Sequence, residues 1–266
     1  MFRAALGLLL VLSLAFSAIA QKPPKKWTEW SPKETEKILN DSPWGKTQTE
    51  TDTSEMVYSP TPITSSANAT SQGATNQATS VKFRIRFLTA RPIRQALVRV
   101  LEDQNRVDKS RLATMHAWAD LHTDEFIILA VTYEGSDRRY LGRSQQAFES
   151  AVTAVLKDNT YLERKDGKRV FLAEYKPPKN DGFGAHFIFP RTLNGEPFLT
   201  ADGGTVRFHC DWTNGATLDS AMNPTGQTSR GATRNSGSIQ ADSPFKLRLE
   251  MRFKLAEMMY DGVLEY

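Results

Sequence analysis

The chain has 266 residues, 39% of them hydrophobic and 10% aromatic, with 34 basic against 30 acidic side chains. That is ordinary for a globular protein of one large or two small domains. A net charge of +4 gives no argument for a nucleic-acid partner.

Residues 1–20 read as an export signal. Arg3 supplies a positive start, Leu6 to Phe16 an apolar run, and Ala18-Ile19-Ala20 the small-x-small pattern cut by a signal peptidase. The apolar run is too short to span a bilayer and nothing later approaches the required length, so no membrane span is expected after cleavage. The expected location is the periplasm or outside the cell. Cys210 is the single cysteine, so no internal disulfide braces the exported chain.

Residues 21–45 form a tryptophan-rich segment. After the basic spacer Gln21 to Lys26, the stretch W-T-E-W-S-P-K-E-T-E-K-I-L-N-D-S-P-W (27–44) holds three of the five tryptophans. Ser31 is suited to cap a helix, Pro32 to its first position, and Glu34 completes a capping box. Asn40 is suited to a left-handed close, and Ser42 before Pro43 to an extended exit. The expected helix covers about two turns, Pro32 to Leu39, too short to persist alone. Its indoles at Trp27, Trp30 and Trp44 must be covered, either by the chain's own domain as a structural clip or by a protein or polymer partner.

Residues 46–80 read as a Ser/Thr-rich linker with an edge strand possible near its start. The α+β domain is assigned to 81–266. V-K-F-R-I-R-F (81–87) alternates as a half-buried strand, with Lys82, Arg84 and Arg86 pointing outward. Three amphipathic helices are expected: one from Pro92, one over Lys109 to Leu121 with Leu112, Met115 and Ala119 inward, and one capped by Ser144 with Ala147, Phe148, Ala151, Val152, Val155 and Leu156 in its stripe. Phe126 to Tyr133 is apolar throughout, as in a central strand covered on both faces. Asp166-Gly167 predicts a hairpin, Pro177-Pro178 an interruption, and Val206 to Thr213 a strand that turns Cys210 inward. A second flexible excursion covers 214–244. F-K-L-R-L-E-M-R-F-K-L (245–255) is the longest perfect alternation, and Asp261-Gly262 turns the chain into a last short strand. The expected sheet is mostly antiparallel.

Catalytic motifs are missing from the sequence. His116 and His122 have ligand chemistry, but at i and i+6 they lie on nearly opposite sides of a helix, unlike the i, i+4 pair that converges on zinc. They remain weak metal candidates, and no cofactor is expected. His209-Cys210-Asp211 alternate across a strand, so the thiol cannot meet its neighbours. The binding candidates are Trp27, Trp30 and Trp44, with Arg84, Arg86 and Arg248 forming a positive sheet surface if their strands pair.

W-x-x-W with K-I-L-N-D-S-P-W, then F-L-T-A-R-P-I-R-Q-A-L (87–97), then F-K-L-x-x-M-x-Y-D-G-x-L-E (253–265) together resemble a group of uncharacterised secreted bacterial proteins. The resemblance implies export and the unity of the tryptophan segment, and nothing catalytic. The expected function is a non-catalytic exported binding or structural protein that uses this segment. The alternative is a secreted hydrolase with a carboxylate pair, which leaves no local signature.

Overall fold

The computed structural model describes residues 25–52, 79–106, 108–135, 138–213 and 246–266. The stretch read as an export signal, the middle of the stretch read as a linker and the stretch 214–244 read as a flexible excursion lie outside the described residues.

The fold is α+β. A 3₁₀ turn at Trp27–Glu29 leads to α1 (Pro32–Asn40), β1 (Gly45–Asp52) and β2 (Thr79–Phe87). Then come α2 (Arg91–Asp103), α3 (Lys109–Asp120), β3 (Phe126–Gly135), α4 (Arg138–Ser150) and the single turn α5 (Thr153–Leu156). The hairpin β4 (Thr160–Arg164) and β5 (Arg169–Phe171) precedes β6 (Glu174–Lys179) and β7 (Gly184–Pro190). A small pair, β8 (Thr192–Leu193) and β9 (Glu196–Pro197), is followed by β10 (Thr205–Thr213), β11 (Lys246–Lys254) and the hairpin β12 (Met259–Tyr260) with β13 (Val263–Leu264).

Two antiparallel sheets, ordered β1-β2-β3-β7-β6 and β11-β10-β4-β5, face one another across an aromatic core. Alternation decides what enters it: Val81, Phe83, Ile85 and Phe87 from β2 are all fully buried, as are Val206, Phe208 and Cys210 from β10. Rings meet across the gap, Phe87 edge-on to Phe253 at 4.8 Å and Phe187 to Phe208 at 5.5 Å. Phe148 of α4 fits between Tyr133 at 5.0 Å and Trp212 at 5.2 Å. The sheets also touch along one edge: the Gln48 amide of β1 donates to the Arg248 carbonyl at 2.7 Å and accepts from the Glu250 amide at 2.9 Å. One side chain stands in for a strand's backbone there.

Helix α1 covers the outer face of the five-stranded sheet at β2, where Arg86 reaches Leu39 and Asn40, whereas α4 packs its Phe148 into the core between the sheets. The capping box at Ser31 and Glu34 forms, and three bonds from Ser31 and Lys25 hold the Glu34 carboxyl down to about 2, the Ser31 backbone N–H first among them. The helix closes differently from expectation. Asn40 stays helical and Asp41 takes the C-cap at φ −149° and ψ 63°, its N–H donating to the Lys37 carbonyl, while the Ser42 hydroxyl donates to the Ile38 carbonyl at 2.6 Å. Gly45 then starts β1 so close to α1 that a Cβ would stand 2.4 Å from the Leu39 carbonyl oxygen.

Other boundaries also move. Residues assigned to the linker at 46–52 and 79–80 belong to β1 and β2, because the two strands pair from Gly45↔Arg86 to Asp52↔Thr79 and backbone hydrogen bonds outweigh a polar composition. In α3 only Ala119 is buried, and Leu112 and Met115 are half-exposed. The third helix starts before Ser144, which is buried inside it, and ends at Ser150, leaving Val152 and Val155 outside the stripe and exposed. Pro177 and Pro178 lie within β6, an edge strand whose register shifts between Lys176 and Lys179; an edge tolerates the missing N–H. As expected, β3 is central and Cys210 points inward, where burial raises its thiol to about 12.

Candidate functional site

A cleft of about 580 Å³ opens where the tryptophan segment meets α2, the end of α3 and the β12–β13 turn. Its walls carry Trp27 and Trp30, Tyr260, and the polar side chains of Arg91, Gln95 and Asp120. Local chemistry fixes each of them. Trp30 is buried and its carbonyl accepts from Arg99 Nε at 3.0 Å. Trp27, half-exposed at the rim, stands edge-on to His116 at 4.8 Å.

The polar wall is a chain of bonds. The Tyr260 hydroxyl donates to Gln95 Oε1 at 2.8 Å, and Gln95 Nε2 donates to Asp120 Oδ1 at 2.8 Å. Gln95 is only 3% exposed, so its orientation is set by these two bonds. Burial, chiefly, raises the Tyr260 pKa above its usual 10 and keeps the phenol a donor. Asp261 and Gly262, both with positive φ (51° and 78°), make the tight turn that presents Tyr260.

Beneath the cleft lies Glu265, 1% exposed. It accepts from Arg91 Nε at 2.5 Å and from the Arg91 backbone amide at 3.2 Å. A buried carboxylate needs such a partner. Arg91 thereby lies over the Tyr260 ring, 5.4 Å from its centroid. Arg94, one residue short of a turn further on, donates to the carbonyls of Leu88, Thr89, Trp118 and Leu121. It ties the end of α3, and so Asp120, to the start of α2, and burial lowers its pKa to about 10.

The indoles are docked on the chain's own domain. Trp44 sits away from the cleft, yet its Nε1 donates to the Glu265 carbonyl at 3.0 Å and its ring meets Tyr260 edge-on at 6.0 Å. The segment is a packed part of the domain and not the tethered arm its sequence suggested, because the nine-residue α1 gains its stability from tertiary contacts.

The arginine candidates do not assemble. Arg84 pairs with Glu134 at 2.6 Å. Arg86 is buried under α1, donating to the Leu39 carbonyl at 2.8 Å, the Asn40 side chain at 2.9 Å and the Thr132 hydroxyl at 3.2 Å. Burial, with repulsion from Arg84 second, lowers its pKa to about 10. Its outward direction was read correctly from alternation, but the helix above makes it an interior group. Arg248 is exposed on the other sheet, paired with Asp211 at 2.8 Å. The histidine candidates separate too: His116 Nε2 faces Glu102 at 2.5 Å, whereas His122 lies against Asp124 at 2.8 Å and Glu265 at 3.8 Å. Among the described residues no group of three His, Cys, Asp or Glu side chains could hold a metal ion.

Arg91, Gln95 and Tyr260 were not singled out from the sequence as site residues, and Asp120 counted only as an acidic neighbour of the histidine pair. A signal for the first three existed. Trp27 and Trp30 belong to the first of the stretches quoted above, Arg91 and Gln95 to the second, Tyr260 and Glu265 to the third, and the fold brings all three to one place. No family model, curated protein or solved structure matches the chain.

Proposed function

We propose that this is an exported, non-catalytic binding protein whose ligand sits in the cleft between the tryptophan segment and the α2–α3 corner. The observation that carries the reading is the convergence there of three aromatic rings with an arginine, a glutamine and an aspartate in a volume of about 580 Å³, the size and mixed lining of small-molecule sites. The segment's role in this reading is to form one wall, with Trp27 as the accessible ring, and not to capture a partner through all three indoles. The signal at 1–20 and the resemblance to secreted proteins supply the expectation of export.

The test is intrinsic tryptophan fluorescence of the chain from Gln21 onward, titrated with a small-molecule panel, in parallel with Trp27→Ala. A saturable change lost in Trp27→Ala supports the reading. Binding insensitive to Trp27, or none across the panel, removes it. A second reading survives on one observation: Asp120 and Asp261 bring two carboxylates from different elements to the same cleft. Hydrolytic turnover that persists in Trp27→Ala and vanishes in Asp120→Asn would select the hydrolase instead.

A further inference from the structure

We infer that the ligand of this cleft is an uncharged sugar, one or two rings long; the inference rests on the binding reading above and deepens it. Three features of the walls lead there. The first is the pairing of flat aromatic faces with flat hydrogen-bonding groups. A pyranose has one face of C–H bonds and an equator of hydroxyls. The negative π-face of an indole attracts the first, and carboxylate or guanidinium forks take neighbouring hydroxyls of the second. Trp27 offers the indole. Asp120 uses Oδ1 for Gln95 and Arg91 commits Nε to Glu265, and among the described residues neither Asp120 Oδ2 nor Arg91 Nη2 has a hydrogen bond.

The second feature is charge. Lys25, Lys26, Arg91, Asp120 and Asp261 all line the cleft, with Arg91 Nη1 3.8 Å from Asp261 Oδ2, while Lys25 is paired with Glu34 at 2.9 Å and Arg91 with the buried Glu265. With those partners counted, three cations stand against four carboxylates, an excess of one negative charge, so a phosphate ester or a polyanion gains nothing here. A cationic ligand fares no better, because the Arg91 guanidinium already lies over the Tyr260 ring. The third is pre-organisation. Gln95 is buried and clamped between Tyr260 and Asp120, so the acceptor on Asp120 is oriented before any ligand arrives, and little ordering accompanies binding.

Calorimetric titration of the chain from Gln21 onward tests this with six probes: cellobiose, N,N′-diacetylchitobiose, xylobiose, lactose, dialanine and glucose 6-phosphate. At least one disaccharide is expected to bind, with Trp27→Ala and Asp120→Asn each weakening it by about tenfold, the loss of one stacking ring or one charged acceptor. Arg248→Ala, remote from the cleft, should leave affinity unchanged. Asp120 is exposed and asparagine keeps the acceptor for Gln95, so a loss in that variant reports on the ligand and not on folding. If dialanine or the phosphate ester binds in a Trp27-dependent way and no disaccharide does, the sugar inference is overturned while the cleft reading stands. If no probe binds, or binding ignores both variants, the inference falls, and the broader fluorescence panel decides the cleft reading separately.

Discussion

The two sheets carry near-identical alternating strands and treat their outward arginines in opposite ways. In β2 the sequence K-F-R-I-R-F places Arg86 beneath α1, with three hydrogen bonds and almost no exposure. In β11 the sequence K-L-R-L-E-M-R-F places Arg248 in solvent with one carboxylate neighbour. Alternation reports which residues leave the core, and a roof over the other face depends on an element elsewhere in the chain. Under α1 the outer face of the five-stranded sheet is therefore a second interior, although Lys82 and the Arg84–Glu134 pair further along β2 and β3 still reach solvent, whereas Arg248 on the outer face of the four-stranded sheet lies at the surface.

Breaking the roof should have the largest effect. Trp44→Ala removes a buried indole, its bond to the Glu265 carbonyl and its contact with Tyr260. A loss of about 3–5 kcal/mol is expected from core Trp truncations, measured by urea denaturation of the chain from Gln21 onward. A loss below about 1 kcal/mol would mean that the segment is not docked as described. Arg86→Met comes next. It fills similar space without donors, leaving the Leu39 carbonyl and the Asn40 side chain with one partner fewer. About 2–3 kcal/mol is expected, since buried groups left unsatisfied bear their desolvation penalty in full.

The histidines sharpen the comparison, one on each outer face. Burial, before any other cause, lowers both His186 and His209 below 6.5. His186 Nε2 and His209 Nδ1 are buried without a hydrogen bond. Around His186, Asp181 favours the proton and Lys176 and Lys179 oppose it. Around His209, Glu250 and Asp211 favour it and Arg207 and Arg248 oppose it. The unfolded chain takes up protons near pH 6.5 that the folded chain refuses. Stability is therefore whole above pH 6.5, falls as the pH drops below it, and levels off only under the folded values. The urea midpoint should follow that course, and His186→Gln and His209→Gln should each flatten it. An unchanged slope in both would show that neither imidazole is desolvated. His209 reaches this state on the bare face because it stacks on Tyr161 at 4.8 Å, so a surface can bury a ring locally without a roof.

How much of this was legible in the sequence follows the range of the interactions. The capping box, the Asp166-Gly167 hairpin, the inward Cys210 and the central β3 depend on neighbours within a few residues or on period-two patterning, and all could be read. The docking of the indoles was half-read: they had to be covered, but by what lay 221 residues away at Glu265. The cleft could not be read at all, because Gln95, Asp120 and Tyr260 are brought together across up to 165 residues. Only the quoted stretches hinted that these segments share a place.

The smallest effect is expected at Arg248, and it tests the bare face most directly. Its side chain is 67% exposed and its partner Asp211 is 33% exposed. Asp211 raises the guanidinium pKa, but in water such a pair is screened and holding it ordered offsets most of the attraction. What β11 needs from this residue is its backbone: the Arg248 carbonyl, not the guanidinium, receives the Gln48 amide that joins the two sheets. Arg248→Ala keeps that carbonyl and should leave the urea midpoint where it was, at low and at high salt alike. Gln48→Ala, which removes both bonds of the joint, should lower it. If Arg248→Ala instead loses as much as Arg86→Met, the outer face of the second sheet is covered in solution, and the contrast between the two sheets fails at its simpler half.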